Sequence, residues 1–273
     1  IPIPASPQLT NDEASFLLED SGASCIVQSS NEQSANFNGI TIEGHNLFDM
    51  NGNEELPLTK SEDPGFLIYT SGTTAKPKGV LHAQRTVLGR ALMQKGWQDF
   101  QKQDITMHAG TLNWSYTLGV GLLDAWAVGA HATLQETPTQ PSEWPEIIET
   151  LRINVFSAVP TIFRQILKYS EIEKYDLSSL RHVLCGGEPL TPALYEEWES
   201  RTNTKIHEAL GMTELSTYIS SSPTIKTRIG SPGKPQPGRN VVILPEDSDS
   251  TEPLPPNETG LLASHRSDPG LML

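Results

Sequence analysis

The sequence predicts an α/β fold, a layered sandwich with a largely parallel sheet flanked by helices, plus the start of a small β-barrel subdomain. Three observations carry this. Apolar strand-like runs alternate with helical patterns from residue 66 to residue 209, the beat of a parallel sheet with helical crossovers. No repeat with a period of roughly 20 to 50 residues runs through the chain, which sets solenoids and propellers aside. After residue 220 the pattern changes to short strands separated by Pro and Gly. The expected division is an α/β region over 1–223 and a partial barrel over 224–273.

The elements follow in order. Thr10 and Glu13 form a capping-box signature ahead of Phe16, Leu17 and Leu18, so a helix starts there, and Gly22 ends it before a short strand at 25–27. Residues 29–63, rich in Asn, Ser, Gly and Glu, read as an irregular loop. A strand at 66–69 enters a Gly/Thr/Lys loop, and a helix is expected over 82–100. Strands at 105–108, 132–134, 155–158, 182–184 and 205–209 then alternate with helices at 118–127, 144–152, 161–169 and 192–201. Pro192 suits a first helical turn, where its missing N–H has no partner to lose. Strands at 241–244 and 260–263 open the tail.

Composition excludes several classes. The 273 residues include 19 Lys and Arg against 33 Asp and Glu, a net charge of −14, so a general nucleic-acid binder is not expected. Two cysteines, Cys25 and Cys185, read as reduced, buried thiols of a cytoplasmic protein and not as a disulfide scaffold. The weakly polar stretch 117–134 contains Asp124 and His131 and reads as core, so no membrane span is expected. No signal peptide or lipidation motif is visible. The chain opens on Ile1 and closes on Leu271-Met272-Leu273 directly after a Pro269-Gly270 turn, which suggests a piece of a longer protein.

The strongest chemical signal is the run Tyr69-Thr70-Ser71-Gly72-Thr73-Thr74-Ala75-Lys76-Pro77-Lys78-Gly79. It gathers hydroxyls, glycine backbone and two cationic heads at one strand end, the donors that a phosphate needs together. Charge distribution favours that reading over a merely solvated loop: residues 64–98 contain no Asp or Glu but five basic residues, Lys76, Lys78, Arg85, Arg90 and Lys95. Common fingerprints do not fit. Gly72 and Gly79 have no Gly-Lys-Ser/Thr ending, Gly119-Val120-Gly121 meets Asp124 where a dinucleotide loop wants glycine, and His207-Glu208 lacks a second His four residues on.

Taken in order, the loop resembles the signature of the adenylate-forming superfamily, which includes acyl-CoA synthetases, luciferase-like enzymes and peptide-synthetase adenylation domains. Two further motifs fall where that family places them: Gly186-Gly187-Glu188-Pro189-Leu190 and Leu210-Gly211-Met212-Thr213-Glu214, each at a strand end. The resemblance covers nearly the whole chain and implies ATP-dependent activation of a carboxylic acid to an acyl-adenylate, with pyrophosphate released and coenzyme A taking the acyl group. It implies ATP/AMP, Mg²⁺ and coenzyme A as cofactors, with the acid, ATP and CoA as small-molecule partners. An amino-acid adenylation domain, or a nucleotide-binding module impaired in catalysis, stands as the alternative.

By that resemblance Thr70, Ser71, Gly72, Thr73, Thr74 and Lys78 would cradle the β and γ phosphates, Lys78 as a point charge. Gly187, Glu188 and Pro189 would contact adenine, alongside Leu210, Gly211 and Met212. Thr213 would offer a hydroxyl to the α-phosphate and Glu214 would hold Mg²⁺. Trp114 and Ser115 fall where the acyl pocket begins; amino-acid-activating relatives usually place Asp at the second position, so Ser115 favours a neutral acid over an ammonium-bearing one. Ala75 replaces a usual glycine and Leu210 a usual aromatic residue. The family's ribose-binding Asp and its C-terminal lid lie beyond these 273 residues, so little catalysis is expected of them alone.

Overall fold

The computed structural model describes residues 1–29, 37, 39–49, 55, 57–70, 76–135, 139–225 and 228–273. Helix α1, Asn11–Ser21, starts on the expected capping box: Glu13 N–H donates to Thr10 Oγ1 at 3.3 Å and Thr10 N–H to Glu13 Oε2 at 2.8 Å. Gly22 closes it with φ 61°, a left-handed turn that glycine adopts without steric cost. Strand β1, Cys25–Gln28, pairs in parallel with β2, Ile40–Glu43; Cys25, expected to be buried, is exposed on this small two-stranded sheet, while Cys185 is buried in the main one. The expected loop over 29–63 therefore contains a strand, followed by a 3₁₀ turn at Gly44–Asp49.

Strands β3, Pro64–Thr70, and β4, Lys78–Ala83, form an antiparallel hairpin of their own. The expected strand at 66–69 thus stands apart from the main sheet. The helix expected over 82–100 starts three residues later and is irregular, running through α2, Arg85–Gly89, and a turn at 90–91 to a π turn at Gln94–Gln98. Val80 and His82, two apart, are buried as a strand requires, and pairing with β3 uses the backbone donors that a helix would need. Two glycines then let other segments close in. A Cβ on Gly89 would lie 2.5 Å from the Pro269 carbonyl carbon, and one on Gly96 would lie 2.9 Å from the Gln236 side chain.

Seven strands make the main sheet: β5, Ile105–His108; β6, His131–Thr133; β7, Val155–Ala158; β8, His182–Gly186; β9, Ile206–Met212; β10, Ser216–Ser220; and β11, Lys234–Pro235. Their order is β11-β10-β9-β8-β7-β5-β6, parallel from β9 to β6, with β10 and β11 antiparallel at the edge. β7 and β8 are buried at every position, as strands covered on both faces are, which explains their mostly apolar runs, interrupted only by Ser157 and His182. The strand expected at 205–209 extends to Met212, and no strand was expected where β10 forms.

Helices cover both faces. α3, Ser115–Leu118, runs through a π turn at Gly119–Leu123 into α4, Asp124–Ala127, so the helix expected at 118–127 starts three residues earlier. α5, Trp144–Thr150, α6, Pro160–Tyr169, and α7, Pro192–Thr202, pack on the opposite face. There Phe156, Phe163 and Trp198 stack in sequence, with ring centroids 5.9 and 4.9 Å apart in edge-to-face pairs. Each such pair adds about 0.5–1.5 kcal/mol beyond the area it buries. The tail carries β12, Val241–Leu244, and β13, Leu261–Ser264, a separate antiparallel pair. No helix among the described residues is long and apolar enough to cross a membrane.

One buried charge pair ties the α3–α4 side to the hairpin after β9. Arg90 donates to both carboxylate oxygens of Asp124, at 2.6 and 2.7 Å, and to Ser216 Oγ at 2.5 Å; Gln98 Nε2 adds a 2.6 Å bond to Asp124. Arg90 is 5% and Asp124 3% exposed. Removing one partner leaves the other charge buried and unpaired, so Asp124→Ala is expected to cost about 3–5 kcal/mol in urea unfolding. Arg90→Met/Asp124→Leu, which buries no charge, recovers most of that loss.

Candidate active site

Two of the motifs singled out in the sequence, at 186–190 and 210–214, lie at the carboxyl ends of β8 and β9, where open parallel sheets place their ligands. β8 ends on Gly186, paired with Ala209, so Gly187 follows beside Leu210. Gly187 has φ 89°, which an L side chain rarely adopts, and a Cβ there would also lie 3.3 Å from Val159. Glu188 and Pro189 are exposed, and Thr161 Oγ1 donates to Glu188 Oε2 at 2.9 Å. Leu190 turns back into the core, and its N–H donates to Glu208 Oε1 at 3.0 Å. Burial raises the Glu208 pKa, opposed by that hydrogen bond.

After β9 the chain reverses through Thr213 and Glu214 into β10. Leu215 N–H donates to the Met212 carbonyl at 3.2 Å, and Ser216 takes φ 71° while its hydroxyl accepts from Arg90. Gly211 is required here, because a Cβ would lie 2.7 Å from the Ser216 carbonyl oxygen. Thr213 Oγ1 and Ser115 Oγ are 3.0 Å apart and hydrogen-bonded, which joins the start of α3 to this turn. The half-buried Glu214 carboxylate makes no hydrogen bond or ion pair among the described residues. Leu210 and Met212 are exposed at 38% and 49%, presenting apolar surface beside the turn. Trp114, 54% exposed, caps α3 and is not core.

The β3–β4 hairpin lies against the same turn. Leu273 N–H donates to the Leu81 carbonyl at 2.9 Å while Met272 N–H donates to the Glu214 carbonyl at 2.8 Å, so two adjacent residues bridge β4 and Glu214. His82 of β4 stacks on Phe66 with centroids 4.5 Å apart. Burial, then the nearby Arg90 charge, lowers its pKa to about 4, partly opposed by the Thr213 backbone. At the hairpin tip Thr70 pairs with Lys78, whose residue is exposed, and Thr70 Oγ1 donates to the Lys78 carbonyl at 3.5 Å. Lys76 Nζ sits 5.2 Å from the centroid of the Phe16 ring. Ser71, Gly72, Thr73, Thr74 and Ala75 lie outside the described residues.

Sequence reasoning missed four residues here: Arg90, Ser216, Glu208 and Tyr116. A carboxylate inside the strand run Ile206-His207-Glu208-Ala209-Leu210 was the available signal for Glu208. Tyr116 packs edge-on against His108, at 4.3 Å, and its ring lies 3.5 Å from where a Cβ on Gly186 would be.

Fold and site together define an α/β protein with a mainly parallel sheet whose β8 and β9 ends carry a glycine turn, a threonine hydroxyl and a carboxylate unpaired among the described residues. The chain belongs to the AMP-binding enzyme family, whose model matches residues 1–272. Among its relatives is an acetyl-coenzyme A synthetase of Bacillus subtilis, 36% identical over 212 residues, 76% of this chain and 36% of that protein. A human mitochondrial acyl-coenzyme A synthetase, ACSM6, is 29% identical over 287 residues, 96% of this chain and 58% of the relative. The chain thus spans about half or less of the length of several curated relatives it matches. In fold it is similar to the anthranilate CoA ligase AuaEII in complex with anthranoyl-AMP, with TM-score 0.83, 24% identity, and 94% of this chain and 54% of that one covered. ATP-bound MatB from Rhodopseudomonas palustris gives TM-score 0.85 at 19% identity, covering 99% of this chain and 55% of that one.

Two predictions come from this geometry. Gly187→Ala forces an L side chain into the left-handed region and is expected to lower stability by about 1–2 kcal/mol in urea unfolding. The buried histidines give the fold an acid limit. Burial holds His82 at about 4 and His108 and His207 at about 3, below their ordinary value near 6.5. Because the unfolded chain takes up these protons first, their contribution is intact above about pH 7. It is lost as pH falls from about 6.5 toward 3, by about 1.4 kcal/mol per pH unit for each proton. Melting temperature measured from pH 8 to pH 4 should be level and then fall through that window.

Proposed function

We propose that this protein, in its native length, activates a small carboxylic acid with ATP and passes the acyl group to coenzyme A. The observation that carries the reading is the turn after β9 in a chain of the AMP-binding enzyme family: the Thr213 hydroxyl is bonded to Ser115, and Met272 and Leu273 link the Glu214 backbone to Leu81 of β4. The acid's carboxylate oxygen attacks the α-phosphorus of ATP and pyrophosphate leaves; the CoA thiol then attacks the acyl carbon, loses its proton and displaces AMP. Such chemistry asks the protein for positioning and for charge stabilisation at phosphate oxygens.

In this reading Thr70, Ser71, Gly72, Thr73, Thr74 and Lys78 face the β and γ phosphates, and Thr213 donates to the α-phosphate. Gly187, Glu188, Pro189, Leu210, Gly211 and Met212 receive the adenine. Glu214 fits a Mg²⁺ ligand. It is an oxygen donor without a partner among the described residues, where no group of three or more His, Cys, Asp or Glu side chains could cage a metal. Mg²⁺ needs only one or two carboxylates when substrate phosphates complete its shell, and there it offsets phosphate charge. Trp114 and Ser115 would meet the acid. Because residues 111–117 contain no carboxylate, an uncharged acid tail fits better than an ammonium, which disfavours amino-acid adenylation. The division at 223/224 and a cytoplasmic location belong to the same proposal; the separate β12–β13 pair supports the former.

The test is ATP–pyrophosphate exchange by the native-length protein across a panel of carboxylic acids. Exchange with at least one acid is expected, with Thr213→Val and Glu214→Gln each lowering it at least a hundredfold, the scale for loss of one transition-state contact. No exchange with any acid would overturn the reading in favour of a nucleotide-binding module.

A further inference from the structure

At the carboxyl end of β5 a cleft of about 270 Å³ opens between the amino-terminal segment and the loop entering α3; Pro4, Pro7, His108, Asn113, Thr117 and Leu134 line it. The amino-terminal side is held in place by Leu67 N–H donating to the Pro2 carbonyl at 3.1 Å. Both ring nitrogens of His108, Thr117 Oγ1 and Asn113 Oδ1 are buried and lack hydrogen-bond partners among the described residues. His108 is 7% exposed and Thr117 1%. Their polar atoms converge: a Cβ on Gly110 would lie 2.5 Å from Thr117 Oγ1 and 3.0 Å from His108 Nδ1. The Tyr116 ring, edge-on at 4.3 Å, fixes the imidazole from the side.

Buried polar groups are nearly always paired, so unpaired ones converging on a cleft call for a partner from outside the chain. The chemistry of that partner is set by the wall. No lining residue carries a formal charge near neutral pH, because burial keeps the His108 imidazole neutral. An anion would lose its hydration without meeting a cation, and a cation without meeting a carboxylate. A neutral imidazole offers one N–H and one acceptor nitrogen, and the threonine hydroxyl offers both roles. The remaining wall joins the apolar Pro4, Ala5, Pro7, Leu112 and Leu134 to the uncharged polar Thr111 and Gln135.

The geometry points to a binding subsite for an uncharged hydrogen-bonding group, a hydroxyl or an amide, borne by a small apolar ligand, with His108 and Thr117 as its partners. It lies beyond the ligase reading and does not depend on it. Two sources share this chemistry: the far end of a carboxylic acid substrate, or a separate neutral molecule.

Ring NMR signals of His108, assigned by their loss in His108→Leu, provide the readout in the chain itself. Butyramide, 1-butanol, butyrate and 4-hydroxybutyrate are the probes. Saturable shifts with butyramide and 1-butanol, and at least fivefold weaker ones with butyrate, are expected. Thr117→Val should weaken butyramide binding at least threefold while its melting temperature holds or rises, since it removes an unpaired buried hydroxyl. Displacement of butyramide by 4-hydroxybutyrate assigns the group to an acid; butyramide binding without such displacement assigns it to a separate molecule. No saturable shift with either neutral probe would mean that water alone occupies the cleft and would overturn the proposal, as would an equal response to butyrate or an unaffected Thr117→Val. Loss of the ligase reading would leave these shifts in place, and loss of the subsite would leave pyrophosphate exchange in place.

Discussion

The Arg90–Asp124 pair is the constraint on which the site depends. Two charges taken out of water cost several kcal/mol each, and only good geometry with further hydrogen bonds offsets that cost. Here the geometry is bidentate, and Gln98 and Ser216 supply the further bonds. The pair can close only because Gly119 has no side chain: a Cβ there would lie 1.8 Å from an Arg90 guanidinium nitrogen. Its third arm reaches Ser216, the left-handed residue that ends the turn carrying Thr213 and Glu214. Ser115, bonded to Thr213, lies on the same helical path as Gly119 and Asp124, so the turn is held from two points on one side of the sheet.

Much of the architecture was legible because burial leaves period and composition signals. Val155–Ala158 and His182–Gly186 are covered on both faces and read as mostly apolar runs; Thr10 and Glu13 announce α1. The β3–β4 hairpin was not legible as such. Residues 78–83 place Val80 and His82 inward, but the run is short, and the helix-compatible residues after it hid the break. Gly89 and Gly96 mark where residues 269–270 and 236–237 press in, contacts 140 or more residues away that no local pattern encodes. The same holds for the site. Its motifs were readable as ordered strings, while the groups that hold them, Arg90, Ser216 and Glu208, act through long-range contacts.

Charge and polarity are distributed to the same end. An acidic chain keeps its acid-free segment, 64–98, around the hairpin that bears Lys76 and Lys78, while Arg90 from that segment is buried and neutralised by Asp124. The histidines His82, His108 and His207 are kept uncharged by burial, and both ring nitrogens of His108 and Nδ1 of His207 have no hydrogen-bond partner among the described residues. Such groups weaken a fold unless a ligand meets them, so their concentration near strand ends is the mark of a working site set in a stable sheet.

Backbone hydrogen exchange across the 212–216 turn tests the anchoring account most directly. In Arg90→Met/Asp124→Leu, which keeps the core filled but cuts the link to Ser216, exchange of the Leu215 amide should rise at least tenfold while β7 and β8 keep their protection. Unchanged protection of that amide would contradict the account, because the turn would then be held without the buried pair.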